Sequence, residues 1–418
     1  MPPYALLDNP VRRYAWGSTT AIPALTGTGP DGTPQAELWM GAHPSAPSRL
    51  NGRPLDELIA ADPDGLLGPD TVRQFGPTLP FLFKVLAAER ALSLQVHPTR
   101  AQAEAGYADE EARGIPLDSP RRVYKDRAHK PELLGALGDF EALCGFRPAA
   151  DTARLLDTLG VLAPWAAALR TRPAAEVLPA LLREALAAGP AEPAFGAAEL
   201  ATVTEALART AASGGPYRKA CAGYARVAEQ YPGDPGLLAA LLLNHVRLTA
   251  GQALYLDAGV PHAYLRGTGV ELMANSDNVL RCGLTAKHVD VDGLLAVTDF
   301  RTGPPEVLTA DARSAEFPSP AEEFRLSRLR PGDTPVRVEL PTPQILLCVA
   351  GRARLRAPGH PDLDLPAGAS AYLRPGAGPV ELTGPGSELF RATTGRQGGA
   401  RTGEGVAQAR KGWPKSRS

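Results

Sequence analysis

The chain has 418 residues, 44% hydrophobic and 21% charged, with a formal net charge of −1. That length exceeds one typical core, so two or three domains are expected, and the near-neutral charge gives no global pull toward nucleic acid or an anionic membrane. No apolar run reaches the roughly 18 residues of a transmembrane helix. The opening MPPYALLDNPVRRYAWGS lacks the basic-then-apolar pattern of a secretion signal, so the cytoplasm is the expected compartment. Cys144, Cys221, Cys282 and Cys348 are widely spaced with no CxxC pair, which argues against a thiolate zinc site or a disulfide framework. Only 7 of the 44 basic residues are lysine, so a lysine that remains is worth noting, because lysine and arginine do different chemistry.

Short apolar runs separated by Gly and Pro, AELWMGAHPS, LPFLFKVLAA and LSLQVHP, fill residues 1–100 and predict strands of a sandwich or barrel. TRAQAEAGYADEEARG reads as a helix with Thr99 as its N-cap. PELLGALGDFEALCGFRP reads as two strands around a turn at Gly138-Asp139. The texture becomes Ala- and Leu-rich near residue 149, and Leu178, Leu181, Leu182 and Leu186 keep helical spacing, with Pro179 bending that helix or marking its first turn. A helical domain is therefore expected over 149–244, inserted into a β framework of 1–148 and 245–300. A second β segment follows over 301–395. GQALYLDAGVPHAYLRGTG and LDLPAGASAYLRPGAG are loosely alike, which suggests two related barrels. Residues 396–418 carry six basic residues against Glu404 and are expected to be a disordered, solvated tail.

LSLQVHPTR places Gln95 and His97 two apart on a strand, hence on one face with Ser93, while Leu92, Leu94 and Val96 point the other way. Such a triplet is as often a solvated face as a ligand pair, so the question is whether the chain supplies further donors. His262 follows Gly259 and Pro261 in YLDAGVPHAYLRG, where a tight turn would aim it inward from the start of a strand. Glu132 opens a strand behind Pro131. Two imidazoles, one carboxylate and one amide oxygen suit Zn²⁺ and tolerate other divalent ions. His43, His129, His245, His288 and His360 fit less well and read as structural or exposed. Lys84, Lys130, Glu271, Asp277, Arg281 and Lys287 sit in or beside otherwise apolar strands. A lysine between Phe83 and Val85 is costly without a partner or cavity, and three of seven lysines in this group point to an anionic substrate; salt-bridged barrel ends are the plainer alternative.

YAWGS, AELWMGAHPS, LPFLFKVL, LSLQVHP, HKPEL, VPHAYL and NSDNVLRCGLT, in that order over about residues 14–300, together resemble the type I phosphomannose isomerases. The resemblance implies a mainly β chain with a helical insertion: two cupin (jelly-roll) barrels plus an α-helical domain, with zinc as cofactor and mannose 6-phosphate and fructose 6-phosphate as substrates. It makes Gln95, His97, Glu132 and His262 the ligands of one zinc per chain, and the inclusion of Glu132 rests on it. It gives Arg281 a catalytic part, proposes Lys84 and Glu271 for others, and sets Ser93, Lys130 and Lys287 at the substrate or phosphate end of the pocket. Asp277, Tyr264 and Trp16 are expected to contact substrate too. Ala128 stands where the family usually has Asn before HKPE, and Cys282 where many members have a smaller residue; both bear on surrounding detail rather than on the reaction. The C-terminal barrel, with only His360, is expected to bind no metal.

The implied reaction moves a proton between C2 and C1 through an enediol(ate), whose oxyanion needs stabilising. Zinc could do this directly or through bound water. Lys84 could be the base if burial and neighbouring cations lower its pKa; Glu271 and a metal-bound hydroxide are the alternatives. Arg281 suits electrostatic stabilisation or phosphate binding. The expected partner is a small phosphosugar, with no nucleic acid or membrane, and the protein a monomer or weak homo-oligomer. A bifunctional isomerase–nucleotidyltransferase is disfavoured because no GxGxR-type loop is present. A metal-binding cupin sugar sensor, or an isomerase of another phosphosugar, are the remaining readings.

Overall fold

The computed structural model describes residues 2–186, 195–310 and 314–395; the expected tail at 396–418 lies outside them. The architecture is mainly β with helices. Its largest sheet has eleven strands, and the strand His262–Ala274 is its spine. Along one edge Gly267 to Ala274 pair antiparallel with Ala88 to Phe81. Along the other edge the first residues of the spine pair with Phe140–Phe146 and the later ones with Glu132–Ala136. One long strand therefore holds the two segments that flank the Gly138-Asp139 turn. Both of those strands form as expected, but they pair with successive parts of the spine and not with each other.

The helix Arg100–Ala112 carries a capping box in which the Thr99 side chain accepts from the backbone of Gln102. Three short helices, Leu55–Ala61, Pro63–Leu67 and Pro69–Phe75, lie in the stretch read only as turns; proline at N1 opens the latter two, and Asp62 caps the second.

Among the described residues, six helices run between the strands Phe140–Phe146 and Leu243–Leu248: Ala149–Leu159, Ala163–Thr171, Ala174–Leu186, Ala197–Ala212, Arg218–Gln230 and Gly236–Leu241. Leu178, Leu181, Leu182 and Leu186 are all buried, with Pro179 inside their helix. Their core also takes in Leu94, Val96, Leu280, Cys282 and Leu284. The apolar backs of the segments that carry Gln95, His97 and Arg281 thus rest on the helices, while the polar sides face away. The strand there is only Gln95–Val96, and Leu92 turns instead toward the apolar cluster around Tyr264.

The remaining β structure is an eight-stranded and a four-stranded sheet built chiefly from 314–393. The N-terminal strand Tyr4–Asp8 joins the larger of these, pairing with Ser370–Leu373 on one side and Arg49–Leu50 on the other, so the two ends of the chain meet in one sheet. Among the described residues no helix is long and apolar enough to cross a membrane.

Glu323 links this second β region to the first. It lies 2.8 Å from Arg100 and 2.7 Å from His129. Burial alone would raise its pKa, but His129 and Arg100 hold it below the ordinary 4.5. A carboxylate so depressed stabilises the fold above the unfolded value, and the contribution is lost as pH falls through the folded value. Glu323→Gln should therefore cost about 1–3 kcal/mol at pH 7. Urea unfolding at pH 7 and below pH 4.5 should show the gap to the unaltered protein narrowing in acid; an equal gap at both would show that the charge is not what matters.

Candidate metal centre and cleft

His262 opens the spine strand after the turn at Gly259 (φ 80°) and stands opposite Gln95 and Cys144 in the ladder. Glu132 opens its own strand opposite Met273. Ligand atoms of His97, Glu132 and His262 all lie within 4.8 Å of one another, and the three residues are buried. The Gln95 amide completes the group, 3.3 Å from His262 Nε2. Turning that amide end for end would present its oxygen.

The imidazoles are aimed by their other nitrogens. His97 Nδ1 lies 2.8 Å from the Asn278 carbonyl, and His262 Nδ1 lies 2.9 Å from the Val260 carbonyl. With those protons donated to backbone, both Nε2 atoms turn toward Glu132, each 3.3 Å from a carboxylate oxygen. Neither approach closes a good hydrogen bond: His97 Nε2 and Glu132 Oε2 are buried without a hydrogen-bond partner. Burial pushes the His97 imidazolium down to about 4, with Lys130 and His262 adding to the effect. Burial would raise Glu132, but Lys130, 2.9 Å away, and His97 hold it well below the usual carboxylate range. A neutral imidazole with an orphaned lone pair beside an ionised, half-satisfied carboxylate is a donor set suited to a divalent cation.

Above this group opens a cleft of about 580 Å³, within the usual size of a small-molecule site. Its walls bring together Trp16, Lys84, Ser93, Gln95, Lys130, Glu132, Tyr264, Glu271, Asp277, Arg281 and Lys287; His97 and His262 lie beneath. Lys84 Nζ lies 2.7 Å from Glu271 Oε2 and 3.0 Å from Glu37 Oε1. The Trp39 indole donates to the other Glu37 oxygen at 2.8 Å, and the Tyr264 hydroxyl donates to Glu271 at 2.6 Å. The expected cations are therefore not what surrounds Lys84. Burial opposes its charge, yet the two carboxylates raise its pKa and keep it an ammonium. Glu271 is raised, chiefly by burial, despite that ammonium.

Arg281, opposite Gln95 in the ladder, and Lys287 also line the cleft, with no carboxylate in ion-pair distance of either among the described residues. Burial lowers the Arg281 pKa, and the Arg281 charge, then burial, lower that of Lys287. A half-buried arginine beside a lysine that its charge disfavours suits an anionic group close to both. Asp277 reaches the buried His43 at 3.5 Å, which holds its carboxyl below the usual range. Sequence reasoning missed Glu37, Trp39 and Asn278. Glu37 and Trp39 sit two apart in AELWM, the same spacing as Gln95 and His97, and a carboxylate in an apolar strand was the available signal. His129 turns away to Glu323, and His245 binds Glu141 at 3.3 Å on the helical side.

The fold and the buried His/Glu/His group describe a metal-dependent enzyme with a cleft for a phosphorylated ligand. Residues 5–149 match the family model described as "Phosphomannose isomerase type I, catalytic domain". The mannose-6-phosphate isomerase of Escherichia coli (strain K12) is 39% identical over 390 residues, 91% of this chain and 97% of its own. That of Bos taurus is 33% identical, over 83% of this chain and 88% of its own. A crystal structure of mannose 6-phosphate isomerase bound with zinc and yttrium has a TM-score of 0.84 at 37% identity, covering 94% of this chain and 100% of that one. The apo form from Salmonella typhimurium gives 0.85 at 37%, covering 95% and 100%. The chain belongs to the type I phosphomannose isomerase family.

Replacing His97 or His262 by Ala should lower bound zinc from about one per chain to near none after dialysis. Elemental analysis checks this; full zinc in both variants would place the ion elsewhere. Zinc should also raise the melting temperature of chelated protein, since binding to the native state alone stabilises it.

Proposed function

We propose that the protein interconverts D-mannose 6-phosphate and D-fructose 6-phosphate with one zinc ion per chain. The observation that carries the reading is one cleft with a buried His/Glu/His group at its floor and, in its wall, Arg281 and Lys287, which have no carboxylate partner among the described residues. Membership of the family supports the same substrate pair. Gln95, His97, Glu132 and His262 would hold the zinc, which when bound supplies a Lewis acid for the sugar oxygens.

The chain's own residues supply the rest. Arg281 and Lys287 anchor the phosphate, with Ser93, Trp16 and Asp277 positioning the sugar and Lys130 holding Glu132 ionised. Glu271 is the carboxylate whose buried setting favours accepting a proton, so it takes the proton from C2 and returns it to C1. Tyr264 orients Glu271. Lys84, an ammonium fixed by two carboxylates, faces the negative charge that develops on the enediolate oxygen and is worth more there than in water. The same reading divides the chain into a catalytic cupin barrel (1–148 and 245–300), an inserted helical domain (149–244) and a C-terminal cupin-like domain without metal (301–395), with strand Tyr4–Asp8 lent to the last. It acts as a cytoplasmic monomer or weak homo-oligomer, without nucleic acid or membrane.

Product analysis with several aldose 6-phosphates in deuterated water tests this. Mannose 6-phosphate should give fructose 6-phosphate, with any solvent deuterium gained by exchange at Glu271 located at C1; conversion of only another sugar phosphate would overturn the substrate. Lys84→Met should lower turnover about 10²-fold or more with zinc retained, and near-normal turnover would remove Lys84 from this role. Because Glu271 must be ionised to act and its pKa is raised, turnover should climb with pH through a limb above the ordinary 4.5. A rate flat down to pH 4.5 would exclude Glu271 as the base.

A further inference from the structure

The helical segment was legible only as amphipathic packing, yet it makes a specific joint with the loop that carries Lys287. Asp234 follows the helix Arg218–Gln230 and precedes the helix Gly236–Leu241. One of its carboxylate oxygens accepts from Gly236 N at 2.8 Å, and the other accepts from Thr285 N at 3.0 Å. The Thr285 hydroxyl in turn accepts from Lys287 N at 3.1 Å. A chain of hydrogen bonds thus runs from the helices to the backbone of Lys287.

The same joint is closed by backbone contact. A Cβ on Gly236 would lie 2.6 Å from Leu284 N and 2.7 Å from the Gly283 Cα, and a Cβ on Gly283 would strike Gly236. Gly283 has φ 102°, and Leu284 holds a left-handed φ of 55°, unusual for a branched apolar residue. A turn of that kind persists where its surroundings over-determine it. Here the Leu284 side chain is buried in the helical core together with Leu280 and Cys282. Burial pushes the Cys282 thiol up to about 12, so it packs as a neutral group. Leu280 and Cys282 face the helices, Arg281, Thr285 and Lys287 line the cleft, and Leu284 packs in the helical core while also reaching the cleft wall.

We infer that the helical segment is the positioning body for the cationic end of the cleft: Asp234, Gly236 and Gly283 fix where Lys287 and Arg281 stand, and so set the strength of phosphate recognition from outside the site. This rests on the reading of Arg281 and Lys287 as the phosphate-binding pair. Asp234 and Gly236 lie on the helical side of the joint, while the Gly283 carbonyl accepts from Leu94 N beside Gln95; the variants at Asp234 and Gly236 are therefore expected to act on binding of the anionic group and to leave zinc and the proton transfer in place.

The test uses the full-length zinc-loaded protein and inorganic phosphate as a competitive inhibitor. Asp234→Ala removes both acceptors, Asp234→Asn keeps one, and Gly236→Ala wedges the contact. For Asp234→Ala the phosphate inhibition constant and the KM for mannose 6-phosphate should rise about tenfold, the loss of one or two modest hydrogen bonds. Turnover at saturation should stay within about twofold and zinc content should be unchanged. Asp234→Asn should be intermediate, and it tests the joint even if Gly236→Ala fails to fold. Leu207→Ala, in the core of the helix Ala197–Ala212, should lower the melting temperature without moving either constant. The inference is overturned if Lys287→Ala weakens phosphate binding while both Asp234 variants leave it unchanged. It is overturned equally if Leu207→Ala moves the constants as much, since that is general destabilisation. Lys287→Ala without effect on phosphate would instead remove the phosphate reading on which it stands.

Discussion

The structure depends on keeping a carboxylate and two imidazoles dry and close together. Glu132 is buried between His97 and His262 at distances that bring polar atoms near one another without satisfying them. Left so, the group is costly, because a buried polar atom without a partner loses its hydration and gains nothing. A divalent cation reverses that balance, and much of the surrounding architecture can be read as serving it. The spine strand sets His262 opposite Gln95. The Asn278 carbonyl turns His97, and Asn278 is itself held through its side chain by the Lys125–Ala128 loop. Lys130 keeps Glu132 ionised.

From that fixed floor the cleft divides by charge. One wall places Lys84 between Glu37 and Glu271, a compensated group whose members determine each other's protonation. Another part of the wall places Arg281 and Lys287 together, without a carboxylate partner among the described residues. The first arrangement suits a reacting centre, where a proton must move and a developing charge must be met. The second suits an anchor, because its repulsion is relieved only when an anionic ligand arrives. On the proposed reading, binding energy gathered at the phosphate holds C1 and C2 against Glu271 and Lys84.

Local pattern made some of this legible in the sequence. Alternation placed Gln95 and His97 on one face, Gly259 and Pro261 signalled the turn before His262, and leucine spacing marked the helices. What escaped was set by long-range pairing. The environment of Lys84 could not be read from FLFKVL, because Glu37 and Glu271 arrive on two other strands. Their negative charge, rather than nearby cations, decides the state of the lysine. The two strands around the Gly138-Asp139 turn were legible but their pairing was not: the His262–Ala274 strand offers each segment a ladder of its own. The Asp234 joint was invisible because its partner, Thr285, comes after the barrel has been re-entered.

The central claim is that the buried His/Glu/His group binds the zinc on which isomerisation depends. It is tested most directly by assaying mannose 6-phosphate turnover on chelated protein before and after stoichiometric Zn²⁺, with folding followed on the same samples. The account predicts that activity disappears with the metal and returns with about one equivalent per chain, while His262→Ala stays inactive at that zinc level. Full turnover by folded, zinc-free protein would contradict it.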